Sequence, residues 1–99
     1  MLRKTLIKRR LADLSERIAR TREELRVTEE QLASVAYEAE DLRLRALMSD
    51  NLADADAARS AQRQAEVMTR HRDRLTRSLQ QDRAEQDSLL DRMSAGGAD

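Results

Sequence analysis

The sequence predicts an all-α protein: an antiparallel coiled-coil helical hairpin that pairs with a second copy into a four-helix arrangement. Three observations predict it. An apolar stripe recurs at alternating steps of three and four residues from Ile7 to Ala46. A second stripe, from Ala58 to Met93, keeps the seven-residue spacing but is out of phase with the first. Between them stands a cluster of turn-forming residues, Ser49, Asp50 and Asn51. A seam held for roughly five heptads specifies a coiled coil rather than an ordinary surface helix.

Composition narrows the class further. Charged residues make up 38% of the 99 residues, well above the roughly 25% of an average globular chain. The apolar content is mostly Ala and Leu, with Tyr37 the one aromatic residue and no Trp, Phe or Pro. A globular core needs bulky side chains arriving from several directions; long helices that each bury one stripe are the arrangement this composition supports. The 19 basic and 19 acidic residues cancel, so no global field steers the chain toward nucleic acid or anionic lipid, and only a local cluster of charge could do so. The absence of Cys excludes a disulfide framework, thiolate chemistry and Cys-based zinc sites. No apolar run approaches the roughly 20 residues of a membrane span, and the basic start MLRKTLIKRR lacks the unbroken apolar stretch of a signal peptide. A cytoplasmic location is the expectation.

The first arm takes residues 1–48. Its first ten residues carry Arg3, Lys4, Lys8, Arg9 and Arg10 with no acid before Asp13. On a helix, Leu2, Leu6, Ile7 and Leu11 lie on or near one side with the cations flanking them, the pattern of a segment that could contact phosphate or anionic lipid. Cations here oppose the helix dipole, so local helix energetics do not account for them. Farther on, the inner positions are filled by Leu14, Ile18, Leu25, Leu32, Val35, Ala39 and Leu42, interrupted by Thr21 and Thr28. The outer positions hold acid–base pairs four apart, Asp13 with Arg17, Glu16 with Arg20 and Asp41 with Arg45, each worth a few tenths of a kcal/mol to the helix.

The turn is expected at 49–51, because Ser, Asp and Asn side chains bond nearby backbone N–H groups in place of helical partners. From Ala46 to Ala58 the seam advances by a seven and a five. Continuous coiled coils absorb insertions of three or four, and a five fits neither, so a reversal explains the phase jump. The second arm is expected over 52–93, with 94–99 (SAGGAD) a disordered tail whose glycines stop the helix. Folding back near Asn51 sets residues opposite where their numbers sum to about 103: Leu14 with Leu89, Val35 with Met68, Leu25 with Leu79, and Asp82 beside Thr21. Ala39 and Ala46 then meet Ala58, Ala61 and Ala65, allowing close approach. Charges match as well, with Arg63 facing Glu40, Arg70 and Arg74 facing Glu29 and Glu30, and Glu85 and Asp87 near Arg17 and Arg20.

A single hairpin buries little, and a candidate second face exists. Tyr37, Leu44, Leu47, Met48, Leu52 and Val67 fall off the seam and gather toward the turn. Exposed apolar clusters of this kind mark protein contacts. They are the expected dimer or partner interface.

Chemistry has little to work with. His71 is the sole histidine and has no second metal ligand three or four residues away. Without Cys, nucleophilic triads and transition-metal cages lack their residues. No cofactor or metal is expected, and the chain is not expected to be an enzyme. A basic segment before heptads is the outline of a bZIP protein, but this one is short, has no Asn to read bases, and its heptads break phase at the turn. The outline is also similar to helical hairpins that regulate sigma factors by binding cyclic di-GMP, which carry Glu-x3-Ser-x2-Arg-x3-Gln-x3-Asp. Glu30 and Ser34 begin that spacing but Tyr37 stands in place of the arginine, so nucleotide binding is not carried over. The segments TREELRVTEEQLA (Thr21 to Ala33) and EDLRLRALMSD (Glu40 to Asp50) resemble small actinobacterial coiled-coil proteins of unassigned role, a resemblance that implies no activity.

The function expected from these readings is that of a non-enzymatic coiled-coil interaction module, a homodimeric adaptor or regulator that also meets a protein partner. The alternative is a peripheral membrane- or nucleic-acid-binding protein acting through Arg3, Lys4, Lys8, Arg9 and Arg10.

Overall fold

The computed structural model describes Leu2 to Gly96. Those residues form two helices, α1 (Leu2–Met48) and α2 (Leu52–Gly96), packed as an antiparallel hairpin. Neither helix contains proline, and Gly96 at the end of α2 is the one glycine among the described residues, so nothing interrupts either backbone ladder. The expected end of α2 at Met93 is too early: Ser94, Ala95 and Gly96 are helical. A glycine in the last turn costs only about 1 kcal/mol relative to alanine, less than is needed to stop a helix that long. The rest of the expected tail, Gly97 to Asp99, lies outside the described residues, as does Met1.

Asn51 makes the reversal. Its side-chain Oδ1 accepts the Ala53 N–H at 2.8 Å, and its carbonyl accepts the Asp54 and Ala55 N–H groups at 3.2 and 3.4 Å. Its own N–H donates to Ser49 Oγ at 3.0 Å. Asn51 is therefore the N-cap of α2, satisfying donors that the first turn leaves without helical partners, and Asp54 adds a negative charge where the helix dipole is positive.

Packing divides into two units. The terminal unit, Met1–Glu24 with Leu75–Asp99, holds the aliphatic core. Ile7, Leu14 and Leu89 form a buried cluster with Leu11 and Met93 packed against it, and Leu14 has no exposed surface. Ile18 and Leu79 are buried as well. Leu14 and Leu89 thus share a core, as the register of the hairpin predicts. The polar expectation needs correction: Asp82, also buried, is bonded to Arg17 Nη2 at 3.1 Å rather than to Thr21, and its Oδ2 has no protein partner. A guanidinium reaches several ångströms past its own helix position, whereas the threonine hydroxyl is held close to the backbone. Glu85 lies close enough to Arg17 to feel its charge, as expected, but its hydrogen bonds come from Arg10, with N–O distances of 2.5 and 2.8 Å.

The turn unit, Leu25–Arg74, packs with smaller residues. Ala39 and Ala65 are buried, and Ala46, Ala58 and Ala61 half-buried, so α1 and α2 meet there through methyl groups. Thr28 is buried in the same seam. Several of the expected interhelical charge pairs are replaced by pairs within one helix. Glu40 holds Arg43 at 2.7 Å and Glu30 holds Arg26 at 2.7 Å, because partners three or four residues away on a helix are reached without ordering a second chain segment.

Leu14 is the side chain most dependent on this packing. Leu14→Ala is expected to lower unfolding free energy by about 2–5 kcal/mol, read as a reduced urea midpoint by circular dichroism, whereas Leu6→Ala, more than half exposed, is expected to change it by under about 1 kcal/mol.

Candidate interaction surfaces

Two apolar surfaces remain after the seam is filled, one in each unit. In the turn unit, α1 places Tyr37 and Leu44 two turns apart on the side opposite its inner heptad rows, with Met48 one turn beyond Leu44. At about 100° per residue these three lie within about 40° of one another around the helix, and Leu47 stands about 60° to one side. They are exposed to 79% (Tyr37), 47% (Leu44), 71% (Leu47) and 90% (Met48), and Leu52 at the start of α2 to 74%. Val67 is also exposed but stands on α2 about 22 Å along the helix from Leu52, so the stripe proper is Tyr37, Leu44, Leu47 and Met48, continued by Leu52.

Ion pairs border this stripe on both sides. Glu40 accepts both Arg43 Nε and Nη2, at 2.9 and 2.7 Å, on one flank; Asp41 accepts Arg45 at 3.1 Å on the other. The hydrogen bonds from Arg43 hold the Glu40 carboxyl below the usual carboxylate range, and the same contact raises the Arg43 guanidinium. An apolar strip between charged margins has the layout of a protein interface, dry at its centre and polar at its rim.

In the terminal unit, Leu2 and Leu6 lie one turn apart on the exposed side of α1, at 74% and 52% exposure. With Ile7 and Leu89 they line a groove of about 520 Å³ whose rim carries Arg3, Arg10 and Arg92. Of the five cations expected to meet an anion, Arg10 is already committed. Its hydrogen bonds to Glu85 hold that carboxyl low and raise the guanidinium itself. Arg3, Lys8 and Arg9 are exposed and Lys4 half-buried, and no acid among the described residues forms an ion pair with any of them. Leu89 and Arg92 join this surface because the antiparallel packing, in the register that the two seams predict, brings the end of α2 beside the start of α1.

Among the described residues no group of three or more His, Cys, Asp or Glu side chains is placed to hold a metal ion, and no helix is long and apolar enough to cross a membrane. A second, smaller groove of about 220 Å³, lined by Ala39, Arg43, Ala58, Arg59 and Gln62, lies where the alanines leave the seam shallow. No protein-family model, no curated protein and no solved structure matches the sequence.

Two measurements follow from the polar contacts. Glu85 has a folded-state pKa below its ordinary value of 4.5, so its pair with Arg10 contributes fully above that value and is lost as pH falls through the folded-state one. Wild type is therefore expected to melt above Glu85→Gln at neutral pH, with the difference closing as the pH falls below about 4.5; both side chains are about 40% exposed, so solvent keeps the effect small. For the buried carboxylate, Arg17→Ala is expected to cost about 1–3 kcal/mol by leaving Asp82 without its donor. Asp82→Leu, which removes the charge and fills the seam, is expected to be neutral or stabilising by about 1–4 kcal/mol in the same urea titration.

Proposed function

We propose that the chain is a non-enzymatic coiled-coil interaction module of the cytoplasm that dimerises through the outer stripe of α1 and serves as an adaptor or regulator for a protein partner. The observation carrying this reading is the exposed strip of Tyr37, Leu44 and Met48 between two rows of charge, with Leu47 beside it on the Glu40 flank. Each flank holds acid and base in the same order along the helix: Glu40 then Arg43, Asp41 then Arg45. A second copy laid antiparallel, with its twofold axis between Asp41 and Leu44, sets acid against base on both flanks and brings Tyr37 over Met48. A parallel copy in register sets acid against acid. The contact is isologous and closes on itself, the commonest symmetry of soluble oligomers. It also covers apolar surface that a lone hairpin leaves in water, and a four-helix arrangement around the turn results.

Sedimentation equilibrium tests the reading. The double variant Tyr37→Ser, Leu44→Ser is expected to raise the dimer dissociation constant at least about tenfold while helicity is kept, since each apolar side chain covered contributes about 1.5–3 kcal/mol. Asp41→Arg is expected to weaken the dimer through like charge, and adding Arg45→Asp to restore it. A wild-type chain that sediments as a monomer, or a mass indifferent to the double substitution, overturns the stripe as a dimer interface.

A further inference from the structure

The groove in the terminal unit is independent of the turn-unit stripe and carries a different chemistry. We propose that it docks the chain on an anionic phospholipid bilayer, with Leu2 and Leu6 entering the headgroup boundary and Arg3, Arg9 and Arg92, the cations nearest them, meeting lipid phosphates. Charge complementarity is the first support. Residues 2–10 carry five cations and no acid; against them, residues 85–96 carry Glu85, Asp87, Asp91 and Arg92. Residues 2–10 and 85–96 together therefore carry three positive charges in excess, in a chain whose net charge is zero. Glu85 is occupied by Arg10, and this pair fixes one wall of the groove without drawing on the remaining cations.

The second support is the apolar component. A surface built to track phosphates needs cations alone, yet Leu2 and Leu6, one turn apart, are more than half exposed among them. They open onto a groove lined by Ile7 and Leu89 with arginines at its rim. Leucines at the centre and cations at the edges are the pattern of a helix lying in a bilayer interface, apolar face down and basic flanks among the headgroups. Nucleic acid is the less suitable occupant: residues 2–10 hold no aromatic side chain to stack on bases and no Asn or Gln to read them.

The experiment is co-sedimentation of the full-length chain with vesicles of phosphatidylcholine alone or with about 30% phosphatidylglycerol, at low and high salt, beside a duplex DNA titration. Binding is expected with phosphatidylglycerol only, weakening as salt rises and by about fivefold for each cation removed, so that Arg3→Ala with Arg9→Ala lowers it by more than tenfold. Leu2→Ser with Leu6→Ser, which keeps every charge and exchanges only exposed side chains, is expected to lower vesicle binding by a similar factor with unchanged helicity. Absence of binding to anionic vesicles, or equal binding to neutral ones, overturns the proposal. So does vesicle binding that is indifferent to the leucine substitutions, or DNA binding that is tighter than vesicle binding and equally indifferent, either of which marks a phosphate-tracking surface. Loss of dimer mass in the leucine variant overturns it too, because a second copy then covers the groove; the Tyr37 and Leu44 variant leaves vesicle binding intact if the two surfaces are separate.

Discussion

Everything in this molecule depends on a seam that is narrow and mostly aliphatic. Two positions in seven point inward on each helix, and no Phe or Trp is present to widen the contact. Burial is correspondingly confined: Leu14 is fully enclosed, while most residues outside the heptad rows remain in solvent. The molecule's capacity lies in the faces that the seam does not consume.

The seam admits polar residues at a cost and places them unevenly. Thr28 and Asp82 are both buried, but a threonine hydroxyl carries no charge, whereas a carboxylate needs a donor brought to it. Arg17 supplies one oxygen of Asp82 and leaves the other without a protein partner. Replacing such a pair with hydrocarbon tends to stabilise a fold, so its presence is not explained by stability. A buried carboxylate does penalise any pairing in which Arg17 is out of reach, and so favours the antiparallel register over its neighbours.

The two exposed surfaces differ in what borders them. In the turn unit, acids and arginines alternate around the stripe and neutralise one another within a single helix, which suits a neighbour carrying the same alternation. In the terminal unit, cations border the leucines with few acids in reach, which suits an acidic surface. The same apolar residue type therefore stands in two different electrostatic settings, and it is the margin that distinguishes them.

The all-α class, the reversal near Asn51 and the membership of the inner rows were legible in the sequence, since heptad spacing and phase are one-dimensional properties that survive folding unchanged. The exposure of Tyr37, Leu44, Leu47 and Met48 was legible for the same reason. Partners of charged side chains were not. Arg10 takes Glu85, Arg17 takes Asp82 and Glu40 takes Arg43, where numbering alone suggested other matches, because a long flexible side chain selects among several acids within reach and the choice is made by the space left after the seam has packed. The groove of Leu2, Leu6, Leu89 and Arg92 likewise exists only when residues more than eighty apart in the chain are brought side by side. Periodicity determined which face is buried; tertiary packing decided which charges remain to meet something else.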